Sequence, residues 1–213
     1  MIYQYPDAVL MIFCKAPVIG QVKTRLTSVL TAKEAMQVHI KLSLNILQLT
    51  TQNNICPVQL WCMPSIDHPF FTASIQTFNV TLERQQGDNL GERMNKAFLS
   101  AFKTYSRALI VGCDCPSLTE QDLKDALNAL NQENSCVLAP AEDGGYVLIG
   151  LNQPHPELFE NMPWGTEQVL KQTRIRIKQY NFRHRELKEQ WDVDAPEDLK
   201  RYHALFQDNQ EIA

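Results

Sequence analysis

The chain has 213 residues, 44% of them from the apolar set, with 24 acidic and 20 basic side chains and a formal net charge of −4. That much apolar material builds a core and excludes intrinsic disorder and low-complexity scaffolds. The acidic balance argues against a protein that holds nucleic acid by bulk positive charge, and no apolar run reaches the roughly 18 residues of a membrane span.

The start, MIYQYPDAVLMIFCKAP, has no basic segment leading into a cleavage site, so a cytoplasmic protein is expected. Ala8 to Cys14 is a short apolar run of the kind a strand buried on both faces requires. Similar runs recur at Pro57 to Met63, Ala108 to Cys113, Ser135 to Pro140 and Gly145 to Leu151. Between them lie helical patterns. Thr31 to Leu49 alternates at Val38, Ile40, Leu42, Leu44 and Ile46, but its length and helix formers predict a helix, largely covered on two apolar flanks. Leu90, Met94, Ala97, Phe98 and Ala101 form an amphipathic stripe. Thr119 with Asp122 caps a helix through Leu130. The basic segment RIRIKQYNFRHRELK reads as a strand followed by a solvated face. The alternation predicts a Rossmann-like α/β/α sandwich, a mixed but mostly parallel sheet, in one domain spanning residues 1–213.

Four segments carry chemistry. Directly after the first strand, Lys15, Lys23 and Arg25 surround Gly20 in a loop where parallel sheets bind ligands. Glycine lets backbone N–H groups approach an anion, and the cations can neutralise phosphates, with Thr24 between them. The spacing is not that of a Walker A loop. In VGCDCPSL, Asp114 ends a buried strand, where a carboxylate can hold Mg²⁺ or Mn²⁺ against substrate phosphates. Read by itself, the favoured role is to shape a turn before Pro116. Glu142-Asp143-Gly144-Gly145-Tyr146 has the composition of a hairpin turn. Asp192 and Asp194 precede a helix with Pro196 at its first position, and Asp194 is the simple N-cap candidate.

The six cysteines sit in or beside apolar runs and read as buried thiols. Cys113 and Cys115 form C-x-C with no second pair at zinc spacing, so neither a disulfide nor a zinc ligand is expected of them.

The ordered set KAPVIGQVKTRL, QGDNLGERM, GCDCPSL, AEDGGY and DVDAPEDL resembles a bacterial family of glycosyltransferase-like proteins in the nucleotide-diphospho-sugar transferase superfamily of GT-A type. That superfamily also contains nucleotidyltransferases, among them guanylyltransferases such as the one acting on phospholactate. The resemblance implies a nucleotide site in which Gly20, Lys23 and Arg25 meet phosphates and Gln86, Gly87, Gly91 and Arg93 lie near the nucleotide. It implies catalytic roles for Asp114 and Asp143, and Mg²⁺ or Mn²⁺ on Asp114 and Asp194. Gly144, Gly145, Trp164 and Thr166 fall where sugar or acceptor contacts belong. The departure is Cys113-Asp114-Cys115, one carboxylate where the glycosyltransferase D-x-D has two. The expected substrates are a nucleotide sugar or a nucleoside triphosphate, with a small-molecule acceptor. Glycosyl transfer is the first expectation, nucleotidyl transfer the second, and nucleotide binding without turnover the third.

Overall fold

The buried apolar runs become the middle of one sheet. The computed structural model describes residues 2–130 and 134–207. Five strands follow the expected runs: β1 (Ala8–Lys15), β2 (Val58–Met63), β4 (Arg107–Gly112), β5 (Cys136–Pro140) and β6 (Tyr146–Leu151). Two short polar strands, β3 (Thr81–Arg84) and β7 (His184–Glu186), form the edges. The order is β3-β2-β1-β4-β6-β5-β7. All pairings are parallel except those of β6 with β4 and β5.

Side-chain alternation along β1 divides the core. Ala8, Leu10, Ile12 and Cys14 face one layer, with α1 (Ala32–Thr51), α2 (Pro69–Thr77) and α4 (Glu120–Leu130). Val9 and Met11 face the other, with α3 (Leu90–Ala101) and α5 (Val169–Gln179). A third cluster joins Leu26, Leu42, Trp191 and Val193 to Leu199 and Tyr202 of α6 (Pro196–Gln207). It ties the loop after β1 to the segment before α6.

The helix starts follow their capping residues. Thr31 and Glu34 make a reciprocal capping box, Asn89 accepts from Glu92 N, and Thr119 and Asp122 exchange bonds at α4. The α6 start does not use Asp194, the simple N-cap candidate. Asp198, not Asp194, turns its carboxylate onto the backbone N–H groups of Asp194 and Ala195, at 3.0 and 2.6 Å. The Asp194 side chain is thereby left for other partners.

Three further expectations need correction. The segment predicted as strand then solvated face is α5 followed by β7, with Ile177 buried and Ile175 exposed. Along α1, Leu44 is exposed with Lys33, Gln37, Lys41 and Gln48, so one face meets solvent instead of being largely covered. At α3, Leu90 of the predicted stripe is exposed and Gly91 takes the buried position. Among the described residues, no helix is long and apolar enough to cross a membrane.

Candidate functional site

β1 and β4 are neighbours whose chain connections leave in opposite directions, β1 toward β2 and β4 toward the other half of the sheet. Such a switch point opens a crevice at the strands' carboxyl ends. The loops after β1 and β4 form its walls. Because β6 runs antiparallel, its first residues reach the same edge, and the β5–β6 hairpin brings Asp143 there. Gly144 makes that turn at φ +84°, and a Cβ would stand 2.3 Å from the Glu167 carbonyl oxygen, so glycine is required. Backbone bonds finish the assembly: Ala141 pairs with Gln190, and Val193 N donates to the Asp114 carbonyl at 3.0 Å.

The crevice has two lobes. One, of about 690 Å³, carries Lys15, Lys23, Arg25 and Arg93 together with Gln85 and Asn89. The other, of about 530 Å³, carries Asp143, Glu167 and Asp192 among Tyr146, Met94 and Ile149. Asp114, Asp194, Arg25 and Trp164 border both. Tyr146 and Trp164 meet edge-on, with ring centroids 6.5 Å apart.

At the junction, cations and carboxylates answer each other. Lys23 Nζ lies 2.8 Å from Asp114 Oδ2 and 3.9 Å from Asp194 Oδ1, and Arg25 Nη1 donates to Asp194 Oδ2 at 2.7 Å. Lys23 is buried, with its side chain 5% exposed, while that of Arg25 is 71% exposed. Burial opposes the charge of Lys23, but Asp114 outweighs it and raises the ammonium above its ordinary value. Burial likewise opposes the Asp114 charge, and Lys23 holds that carboxyl below the usual range. Among the described residues Asp192 has no ion-pair contact: burial first, then the charges of Asp114 and Asp143, outweigh the pull of Lys23 and push it up to about 7. Lys23 also holds a left-handed backbone, φ 48° and ψ 39°, at the entry to the 3-10 turn Thr24–Ser28.

Of the residues singled out from sequence, Lys15, Lys23, Thr24, Arg25, Arg93, Asp114, Asp143, Gly145, Trp164, Thr166 and Asp194 line the crevice. Gly20, Gln86, Gly87, Gly91 and Gly144 do not. Gly20 turns the loop at φ +77° in open space, and Gly87 bends at φ +139° ahead of α3. Gly91 packs under the wall, where a Cβ would come within 2.5 Å of the Phe159 carbonyl and Trp164 Nε1. Gln85, not Gln86, faces the lobe, its amide donating to the Trp61 carbonyl at 2.7 Å. Sequence reasoning also missed Glu167 and left Asp192 open. The alternation of Asp192 with Asp194 was the available signal for the latter.

Residues 46–166 match the family described as "Uncharacterized protein conserved in bacteria (DUF2064)". The chain belongs to that family. No curated protein matches it. A candidate nucleotide-diphospho-sugar transferase from Desulfovibrio desulfuricans G20 superposes with a TM-score of 0.82 at 28% identity, over 89% of this chain and 83% of that one. A CMP:2-keto-3-deoxy-manno-octonic acid synthetase complexed with CTP gives 0.60 at 11% identity, over 95% and 99%. A glucosyl-3-phosphoglycerate synthase from Mycobacterium tuberculosis, in complex with Mn²⁺, UDP and glucosyl-3-phosphoglycerate, gives 0.51 at 9%, over 91% and 74%. The fold is the nucleotide-diphospho-sugar transferase fold, and its structural neighbours are glycosyl and nucleotidyl transferases. The superposition carries no specific tie to guanylyltransferases.

Proposed function

We propose that this DUF2064 chain, acting as one nucleotide-binding unit, is a transferase that takes a nucleotide-diphospho-sugar and passes the glycosyl group to a small-molecule acceptor. The observation that carries the reading is the distribution of charge in the crevice: beyond Arg25, Asp114 and Asp194, which border both lobes, Lys15, Lys23 and Arg93 lie in one lobe and Asp143, Glu167 and Asp192 in the other. A diphosphate belongs in the first. Among the described residues Lys15 has no ion-pair partner, and Arg93 donates to the Asn89 carbonyl and reaches the Met63 sulfur. These two can therefore meet phosphate oxygens without breaking an existing salt bridge. Arg25 is exposed and can turn from Asp194 to a phosphate. A hydroxyl-rich sugar suits the second lobe, where Asp143, Glu167 and Asp192 accept hydrogen bonds and the Tyr146 and Trp164 rings supply flat apolar faces.

Asp114 and Asp194 fit a divalent metal, because oxygens of both already converge on one cationic centre, Lys23 Nζ. Mg²⁺ or Mn²⁺ held by that pair would neutralise charge on the departing diphosphate. Lys23, now paired with Asp114, would then stand beside the phosphates as a further cation. The Mn²⁺ and UDP in the glucosyl-3-phosphoglycerate synthase complex support this reading by likeness of fold.

The same charge division weighs against nucleotidyl transfer to a phosphorylated acceptor, which would put a dianion among Asp143, Glu167 and Asp192. The deciding assay presents nucleotide sugars and nucleoside triphosphates with Mn²⁺ or Mg²⁺ to the full chain, with a panel of acceptors. Release of nucleoside diphosphate from a nucleotide sugar is the expected outcome. Pyrophosphate release from a triphosphate would overturn glycosyl transfer in favour of nucleotidyl transfer. Binding with no turnover across the panel would favour a nucleotide-binding protein without catalysis.

A further inference from the structure

The floor of the cationic lobe holds two thiols and an imidazole that the transfer reaction does not use. The parallel register that pairs Phe13 with Gly112 sets the next residues, Cys14 and Cys113, side by side on the same face of the sheet. His39 comes down onto them from α1. The candidate ligand atoms of the three all lie within 4.8 Å of one another. His39 Nε2 is 4.0 Å from Cys14 Sγ and donates to the Lys15 carbonyl oxygen at 2.8 Å. Each residue is more than nine-tenths buried, yet all three line the crevice. The cluster is thus shielded on the protein side and reachable on the other.

We propose that Cys14, His39 and Cys113 bind a thiophilic metal ion of the Zn²⁺ type through two thiolates and one neutral imidazole, with the fourth position open to the crevice. Soft sulfur donors select such an ion over Mg²⁺ or Mn²⁺, whose oxygen ligands stand apart at Asp114 and Asp194. In a tetrahedral zinc site, bonds of about 2.3 Å to sulfur and 2.0–2.1 Å to nitrogen put neighbouring ligand atoms roughly 3.5–3.8 Å apart. Closing from the present spacing takes inward shifts of about 1 Å, shared among three side chains. Burial, chiefly, holds the His39 pKa below its ordinary value. The neighbouring cation Lys23 is engaged by Asp114 and need not be displaced.

On binding, each thiol releases its proton to solvent as its sulfur–metal bond forms. The imidazole offers the Nε2 lone pair, its proton moving to Nδ1, and the bond to the Lys15 carbonyl is given up. This revises, for Cys113 alone, the expectation drawn from the C-x-C spacing.

The test is a Co²⁺ titration of the full chain, kept reduced by a reductant that contains no thiol. The expected result is one equivalent bound, with a thiolate-to-cobalt charge-transfer band and tetrahedral ligand-field bands. Cys14→Ser and Cys113→Ser should each cut the charge-transfer band by about half and weaken Zn²⁺ binding by more than about tenfold, and the double variant should lose the band. Asp194→Asn should keep the band, which separates this site from the carboxylate pair. A titration without that band, or a band surviving in the double serine variant, would overturn the proposal. If the serine variants do not fold, X-ray absorption of the zinc-loaded wild-type chain decides. Two sulfurs and one imidazole nitrogen support the site, and a shell of oxygen and nitrogen alone refutes it.

Discussion

Lys23 and Asp114 lie 91 positions apart in the chain, and their side chains meet at 2.8 Å. The loop after β1 and the loop after β4 are thereby closed across the switch point before any substrate arrives. Removing Lys23 strands Asp114, and removing the Asp114 charge leaves Lys23 the longer 3.9 Å contact with Asp194. Lys23→Met leaves a carboxylate that is 34% exposed, and Asp114→Asn leaves an ammonium that is 5% exposed. Each should cost about 2–3 kcal/mol, below the range for a fully buried pair because Asp114 still touches water. In urea unfolding at pH 7, the double variant should cost clearly less than the two singles combined. Strict additivity would show that the pair is incidental.

Arg25 is held differently. Its side chain is largely in solvent, so losing the 2.7 Å contact with Asp194 should change stability by less than about 1 kcal/mol. Nucleotide binding is where Arg25→Ala should be felt, with a loss of about 1.5–3 kcal/mol if the guanidinium meets a phosphate. Arg25→Lys should recover only part of that, since an ammonium cannot make the bidentate fork. Isothermal calorimetry with a nucleoside diphosphate reads both. Unchanged affinity in a folded Arg25→Ala would remove Arg25 from the phosphate site.

Asp114 and Asp194 share Lys23 Nζ, at 2.8 and 3.9 Å, and a shared metal makes a specific demand. Asp114→Asn and Asp194→Asn should each abolish the Mn²⁺-dependent part of nucleotide binding, and the double variant should add little. The comparison needs titrations with and without Mn²⁺ on all four proteins. Because Asp198, not Asp194, caps α6, Asp194→Asn should leave the helix start intact. A Mn²⁺ dependence that persists in either single variant would show that the ion is held elsewhere.

Far from the crevice, Asp7 braces the start of β4. It accepts from Arg107, chiefly, and from Ser106, and these bonds hold its carboxyl below the usual range. A depressed folded pKa stabilises above the unfolded value, near 3.8, and that stability is lost as pH falls through the folded pKa. Asp7 is about half exposed, so Asp7→Asn should cost about 1 kcal/mol at pH 7. The two proteins should converge in stability below the carboxylate range. A difference that stays constant from pH 7 to pH 2 would assign the effect to packing.

Five of the seven strands could be read from the chain alone, because β1, β2, β4, β5 and β6 are buried through the middle of the sheet and show as apolar runs. The capping residue Thr119 marked its helix for an equally local reason. The edge strands β3 and β7 carry Thr81, Glu83, His184 and Arg185, polar side chains that give no apolar run, and only pairing with a formed sheet makes them strands. The Arg-Ile-Arg-Ile alternation mimicked a strand, but the segment ends α5, from which Ile177 packs into the core while Arg174 reaches Glu186 of β7. The same division runs through the site. Cations after the first strand and an aspartate at the end of another are local signals, and both were legible. That Lys23 answers Asp114, that Gln85 faces inward in place of Gln86, and that Cys14, His39 and Cys113 converge are consequences of strand order and register. Residues distant in sequence become neighbours only when β1 and β4 pair, and no local pattern of residues encodes which strands will pair.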